Sequence, residues 1–289
     1  MYFQTHFKKI YLGIVSVFLI LLTVLAAFGK NRAGHVNAYA EQRHVPVLMY
    51  HSVCLNRRVN SEYVISPEKF RADMEYLADH GYSFVSLSEI YAFYTGNGDL
   101  PEKPVAITLD DGFLNNLTAV FPVLKEMNVK ANINVVGSYT QKYSDMTDRS
   151  ASYACLTWDD IKTLDASGLV ETGSHTWDMH SLGERKGCAR KKGETDEAYR
   201  AALRADLRKL NEALELNCGI KTRIFAYPFG EVSDGAKEVL EEEGFSILLT
   251  CEEKTNVLTS GNTGTLTLGR INRASSLSTG DFFKANFID

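Results

Sequence analysis

The chain has 289 residues, of which 45% are apolar and 23% are charged, a composition typical of a globular protein with a full hydrophobic core. Its formal net charge of −5 excludes the strongly basic balance of a nucleic-acid-binding protein, and apolar residues along nearly the whole length exclude a disordered chain. Nothing in the composition indicates a protein partner.

The N-terminal segment differs from the rest of the chain. Two lysines precede an unbroken apolar run, Ile10–Phe28, which at about 1.5 Å per helical residue spans the roughly 30 Å core of a bilayer. The lysines favour a cytoplasmic N-terminus, and Ala38-Tyr39-Ala40 matches a signal-peptidase pattern, so an uncleaved anchor and a cleaved signal both stay open. We therefore expect residues 1–40 to be a membrane anchor or signal peptide. Residues 41–289 are expected to form one extracytoplasmic domain, anchored to the membrane or secreted.

The remaining sequence alternates between strand and helix patterns. Ser66 and Pro67 are typical of a helix start and Gly81 of its end, and Ser88 is expected to cap the next helix. Short apolar runs before each helix predict buried strands, at 46–51, 82–87, 105–109, 130–136, 169–174, 222–227 and 245–250. Six or more strand–helix units predict an α/β fold with a parallel sheet, and the chain length suits a closed or nearly closed barrel.

Residues with reactive or metal-binding side chains follow four of the predicted strands. His51 follows the first strand, the adjacent carboxylates Asp110 and Asp111 follow "AITL", His175 follows "VETGS", and a Pro-Phe-Gly sequence follows "IFAY". In parallel β/α barrels the functional site lies where the strands end at their carboxyl edge. We therefore expect these residues to converge on one rim.

Asp110, Asp111, His175 and His180 together predict a metal site. Two imidazoles and one carboxylate suit a borderline cation such as Zn²⁺, with Co²⁺ or Ni²⁺ as alternatives, and leave one position open for water. One carboxylate would bind the metal and the other would take a proton from water. The alternative is that the two histidines, five positions apart, are unrelated loop residues.

The motifs "TLDDG", "SHTWDMH" and "FAYPFG" resemble those of carbohydrate esterase family 4, the NodB-type polysaccharide deacetylases. The resemblance covers about residues 45–273 and implies a distorted (β/α)7 barrel. It implies that Asp110 is the general base and that the backbone N–H of Phe229 stabilises an oxyanion. It also implies that the divalent metal is bound by Asp111, His175 and His180.

Three departures from the family pattern are similar to the branch that acts on biofilm poly-N-acetylglucosamine. The histidine spacing is five rather than four, and Ala226 stands where the family has arginine. Arg270 stands where the family has the histidine that serves as general acid. The general acid is therefore unassigned. His51 is the candidate, with a structural role for His51 as the alternative, and Asp110 returning its own proton as the other route.

The resemblance implies metal-dependent hydrolytic N-deacetylation of N-acetylglucosamine units in an extracellular or cell-wall polysaccharide, with poly-N-acetylglucosamine favoured. The alternatives are peptidoglycan deacetylation and a non-catalytic carbohydrate-binding protein. Trp177 and Tyr227 are expected to stack on a sugar ring, and Pro228 and Arg270 are expected to contact the substrate.

The cysteines form no Cys-x-x-Cys pair, and their number is odd, so unpaired thiols are expected rather than a disulfide framework. One or two bridges are the alternative in an exported protein. The five positions are Cys54, Cys155, Cys188, Cys218 and Cys251.

Overall fold

The computed structural model describes residues 42–54 and 61–287. The predicted anchor or signal peptide over residues 1–40 lies outside these ranges and stays a prediction. Within the described ranges, no helix combines the length and the apolar character that crossing a membrane requires. The five cysteines all lie in the described ranges and all are free, as expected.

The strands of the described ranges form a parallel barrel with short flanking strand pairs. β1 and β11 pair with each other, β3 pairs with β4, and β5 extends the sheet beside β6. The barrel order is β2, β6, β7, β8, β9 and β10, followed by the segment that carries β12 and β13. The strands are β1 (Gln42–Val45), β2 (Val47–Tyr50), β3 (Ser52–Val53), β4 (Val64–Ile65), β5 (Ser83–Phe84), β6 (Pro104–Leu109), β7 (Ala131–Val135), β8 (Val170–Ser174), β9 (Ile224–Ala226), β10 (Ile247–Leu249), β11 (Asn256–Thr259), β12 (Leu266–Leu268) and β13 (Ile271–Asn272).

The last segment joins the two ends of this sheet. β12 pairs in parallel with β10, and β13, only two residues further on, pairs in parallel with β2. The interruption at Gly269 and Arg270 is held by Asn256, whose side chain both donates to and accepts from the Gly269 backbone at 2.9 Å. One continuous segment therefore bridges the first and last strands, and the predicted distorted (β/α)7 barrel is confirmed.

Helices cover the outside of the barrel. Ser66 caps the first of them, as predicted, but the second begins after Ser86 and not at Ser88. Ser86 and Glu89 form a reciprocal capping box, which satisfies two backbone N–H groups at once and so fixes the start two residues earlier. The helices are α1 (Pro67–Asp79), α2 (Leu87–Tyr94), α3 (Phe121–Met127), α4 (Gly137–Ser144), α5 (Trp158–Asp165), α6 (Asp196–Cys218), α7 (Ala236–Glu242) and α8 (Thr279–Asn286).

The helix predicted after the Asp-Asp-Gly motif begins with a π-helical turn, Asn116–Val120, before α3. Two buried asparagines in this region bind the β2–β3 connection. Asn115 accepts from the Val53 amide at 2.9 Å, and Asn116 donates to the His51 carbonyl at 3.0 Å. These bonds fix the backbone that carries His51 beside the motif.

The core divides along the faces of the strands. On β6, Ile107 and Leu109 pack in the cluster that includes helix α1, whereas Thr108 lies on the opposite face and is fully buried. The Thr108 hydroxyl donates to the Leu48 carbonyl at 2.8 Å and receives a 3.3 Å hydrogen bond from Arg270. The barrel interior is therefore partly polar just beneath the strand ends.

Candidate metal centre and active site

The residues that follow the strands converge on one rim, as the sequence predicts. They line a cavity of about 620 Å³ at the ends of β2, β6, β8 and β9. Six of the predicted site residues line it, namely His51, Asp110, Asp111, His175, His180 and Phe229.

Asp111, His175 and His180 form a compact cluster in this cavity. Asp111 Oδ1 lies 3.0 Å from His180 Nε2 and 3.7 Å from His175 Nε2, and one potential ligand atom from each residue lies within 4.8 Å of the others. Asp111, two residues after the end of β6, has a left-handed backbone, φ 71°. Such strain is tolerated where surrounding contacts fix the site.

The hydrogen bonding of His175 tests whether this cluster suits a cation. His175 is buried, and its Nδ1–H donates to the Ala226 carbonyl at 2.8 Å, which leaves the Nε2 lone pair facing Asp111. A backbone carbonyl on the remote ring nitrogen is the usual outer support of a metal-binding histidine. Burial also lowers the pKa of His175, which favours the neutral imidazole that a metal requires. These residues fit a divalent cation.

Asp110 lies beside the cluster but is held by different partners. It is 2% exposed, and Arg270 donates to both of its carboxylate oxygens at 2.8 Å. Asn134 adds a third hydrogen bond, 2.8 Å to Oδ1. Burial acts to raise the pKa of Asp110, but the charge and hydrogen bonds of Arg270, together with His175 and His51, outweigh it and hold that pKa well below the usual range. Asp110 is therefore an ionised carboxylate.

His51 lines the same cavity beside Tyr63, with ring centroids 4.7 Å apart. Its Nδ1 is buried without a hydrogen-bond partner in the described residues. A structural histidine at this position would be expected to satisfy that nitrogen. His51 thus lies within reach of a molecule bound in the cavity.

Phe229 lies in the short turn Pro228–Gly230, and its backbone is left-handed, with φ 59° and ψ 8°. The residue is 43% exposed, and the centroid of its ring lies 4.7 Å from that of His180. The turn begins one residue after β9 ends, and Phe229 lines the same cavity as Asp111, His175 and His180.

Arg270 and Tyr227 are not placed for the predicted contact with a substrate. The Arg270 side chain is fully buried behind Asp110 and does not line the cavity. Tyr227 is 5% exposed and packs edge-on against Phe225 at 5.1 Å. Both predictions are corrected. Arg270 is buried against Asp110 and Tyr227 against Phe225, so neither side chain is exposed to a substrate.

The predicted substrate contacts of Trp177 and Pro228 are also corrected, because both side chains pack away from the cavity. The Trp177 ring packs over the Cα of Gly137, where an added Cβ would lie 2.5 Å from it, and the Lys209 ammonium lies 4.3 Å from the ring centroid. Pro228 is buried at the base of its turn. Neither lines the cavity.

Some residues of the site were missed by sequence reasoning. Asn134 lies on a buried parallel strand, where a polar residue is itself a signal of a functional partner. Glu62 and Glu253 line the cavity from loops that carry no motif, so no pattern marks them.

The sequence of this chain is similar to those of known proteins. A protein-family model described as polysaccharide deacetylase matches residues 97–248. The chain is 29% identical over 204 residues to a poly-beta-1,6-N-acetyl-D-glucosamine N-deacetylase of Escherichia coli, a match that covers 63% of this chain and 30% of that protein. A protein of the same name from Staphylococcus epidermidis is 24% identical over 230 residues, covering 78% of this chain and 75% of that one. The chain thus spans less than a third of the length of the Escherichia coli relative.

Among solved structures, IcaB from Ammonifex degensii superposes with a TM-score of 0.67 at 27% identity, covering 84% of this chain and 95% of that one. The family model spans more than half of the sequence. The motifs it covers supply the carboxylate pair and the two histidines. The chain belongs to the polysaccharide deacetylase family.

Proposed function

We propose that this chain removes acetyl groups hydrolytically from N-acetylglucosamine units of an extracellular polysaccharide, with poly-β-1,6-N-acetylglucosamine as the substrate. The observation that carries the proposal is the position of Asp110, an ionised and buried carboxylate. It lies in one cavity with three side chains that would hold a metal ion. Proteins named as deacetylases of that polymer are among the relatives.

Each site residue has a distinct proposed role. Asp111, His175 and His180 would hold the divalent ion, which when bound polarises a carbonyl and lowers the pKa of water. Asp110 accepts the proton of the attacking water, since it is ionised and held in one orientation by Arg270. The backbone N–H of Phe229 donates to the oxyanion that develops on the acetyl oxygen.

Departure of the amine requires a proton on its nitrogen. His51 is proposed as the donor, because it lines the cavity beside the proposed metal ligands and is not one of them. The other route is return of the proton from Asp110. Arg270 is excluded as the donor, because a guanidinium does not release a proton at working pH.

Zn²⁺ is the proposed metal. Two imidazole nitrogens and one carboxylate oxygen are the donor set of many catalytic zinc sites, and three protein ligands leave a position for water. Co²⁺ and Ni²⁺ accept the same donors.

The charge of the cavity supports a polymer without acidic groups. Glu62 and Glu253 line it, and no lysine or arginine is among its lining residues in the described ranges. Peptidoglycan carries free carboxylates on its stem peptides, which such a lining repels. Poly-N-acetylglucosamine is neutral and becomes cationic as acetyl groups are removed, so both charge states suit this cavity.

We further propose an extracytoplasmic location with membrane association through residues 1–40, supported by the apolar run Ile10–Phe28. A polymer of this kind is not accessible to an enzyme confined to the cytoplasm. Protease treatment of intact cells should degrade the domain if it lies outside the membrane, and protection of the domain would contradict this location.

The test of function is acetate release by the purified full chain loaded with Zn²⁺. We expect release from β-1,6-linked N-acetylglucosamine oligomers and little from peptidoglycan strands of similar length. Asp110→Asn is the control for activity from contaminants. Absence of acetate from the oligomers would contradict the proposal, and preferential release from peptidoglycan would replace the substrate.

A further inference from the structure

We propose that Asp206 is a positioning residue that sets the geometry of the two metal-ligating histidines, a role that no motif of the sequence indicates. Asp206 lies on α6, outside the cavity, and does not contact the proposed ligands. The inference rests on the proposed metal site, and it concerns the loop between His175 and His180.

The loop has no regular secondary structure of its own. The five-residue step from His175 to His180 leaves the end of β8 and lacks helical or strand hydrogen bonding. Thr176, directly after the first histidine, is fully buried with a left-handed backbone, φ 72°. A β-branched residue adopts that conformation only where the surroundings over-determine it.

Asp206 supplies one of the two sets of hydrogen bonds that hold this loop. Its Oδ1 accepts the Trp177 amide at 2.7 Å and its Oδ2 accepts the Asp178 amide at 2.8 Å. Two consecutive backbone N–H groups are thus bound by the two oxygens of one carboxylate. Hydrogen bonds to a charged acceptor are short and roughly twice as strong as neutral ones.

The second set of hydrogen bonds comes from the start of α4. The Gly137 amide donates to the Thr176 carbonyl at 3.0 Å, and the Ser138 amide donates to the Trp177 carbonyl at 2.8 Å. The loop is therefore fixed between two helices. Its carbonyl groups accept from amides at the start of α4, and its amides donate to Asp206 on α6.

The two histidines depend on this support to different degrees. His175 is held independently, because its amide donates to the Val135 carbonyl at 2.9 Å and its ring donates to Ala226. His180 lies beyond the bound amides, and Tyr139 is near it at 3.4 to 3.5 Å, the outer limit of a hydrogen bond. Loss of the Asp206 carboxylate should therefore release His180 more than His175.

The experiment measures Zn²⁺ affinity of the metal-free full chain by competition with a chromogenic chelator. Asp206→Asn retains size but offers one acceptor oxygen where two are needed. We expect Zn²⁺ binding to weaken by about 10- to 100-fold, the usual effect of losing an outer partner of a metal ligand. Asp178→Asn is the matched control, because it also removes one carboxylate charge beside this backbone but leaves the Asp178 amide and its bond to Asp206 in place. Its Zn²⁺ affinity should stay within about twofold of that of the unmodified chain.

A purely structural role would lower the melting temperature of the metal-free chain without changing the affinity of the folded protein. The visible spectrum of the Co²⁺-loaded Asp206→Asn chain should also change, because it reports ligand geometry directly. Unaltered Zn²⁺ affinity and an unaltered Co²⁺ spectrum in a folded Asp206→Asn chain would overturn the proposal.

If Asp206→Asn does not fold, Asp206→Glu replaces it, since it keeps both oxygens but displaces them by one methylene. That chain should bind Zn²⁺ more weakly than the unmodified one, and equal affinity would overturn the proposal. Acetate release is not part of the measurement. A chain that binds Zn²⁺ as expected but deacetylates nothing would contradict the proposed function alone.

Discussion

Arg270 donates to the two carboxylate oxygens of Asp110 from two guanidinium nitrogens, at 2.8 Å each, and both side chains are buried. Arg270 stands between β12 and β13, where the barrel closes, so the pair joins the closing segment to the end of β6. One interaction thus links the closing segment of the barrel to the orientation of the proposed base.

Arg270→Met should leave Asp110 buried without its counter-charge. The pKa of Asp110 is held well below its usual range in the folded chain, so its ionisation stabilises the fold above the unfolded pKa of about 3.9, and that stability is lost as pH falls towards the folded pKa. Without Arg270, burial raises the pKa of Asp110. The acid limb of the kcat/KM profile should therefore move to higher pH.

Stability measurements provide the control for this prediction. Breaking a buried pair costs about 3–5 kcal/mol of unfolding free energy. Arg208→Met removes an ion pair with Glu243 whose arginine is mostly exposed, and it should lower the unfolding free energy much less. Equal effects of the two substitutions on denaturant unfolding would contradict the assignment.

Asp110→Asn and Asp111→Asn should separate the two carboxylates. Asparagine at 110 cannot accept the proton of water, so turnover should fall by about 10²- to 10⁴-fold while Zn²⁺ stays bound. The Asp111→Asn substitution replaces a proposed metal ligand with a weaker one, so that chain should lose metal as well. Metal analysis beside turnover distinguishes the two, and the reverse pattern would mean that their roles are exchanged.

His51→Ala tests the proton donor. We expect turnover to fall strongly with metal content unchanged, because His51 lies in the cavity but is not part of the metal cluster. The alkaline limb of the pH–rate profile should flatten in the variant. Near-normal turnover with an unaltered alkaline limb would leave Asp110 as the sole acid–base residue.

Ser86→Ala and Ser88→Ala test the start of α2. Ser86 accepts from the Glu89 amide at 3.1 Å, so its loss should cost about 1 kcal/mol of unfolding free energy. Ser88→Ala should have almost no effect, because the Ser88 backbone amide, which the substitution retains, is the group bound by Glu171. Chemical denaturation measures both, and a larger loss at Ser88 would contradict the observed cap.

Much of the fold was predictable because buried parallel strands are short apolar runs and helix ends carry local signals. The convergence of four strand ends follows from topology alone, so the cluster of Asp111, His175 and His180 was predictable as well. The partner of Asp110 was not, since Arg270 lies 160 residues away and sequence gives no side-chain direction.

The aromatic residues show the same limit. Trp177 and Tyr227 stand beside motifs, as sugar-binding residues do, but whether a ring faces a cavity or a neighbouring helix is decided by tertiary packing. Ser86 is different, because the Ser-x-x-Glu spacing to Glu89 was present in the sequence and indicates the observed cap.

The most direct test of the central claim compares acetate release from β-1,6-linked N-acetylglucosamine oligomers before and after chelation of the same preparation. The metal content is measured at each step. We predict that activity disappears with the metal and returns when one equivalent of Zn²⁺ or Co²⁺ is restored, and that His180→Ala fails to regain either. Full activity in a preparation shown to contain no metal would contradict the account.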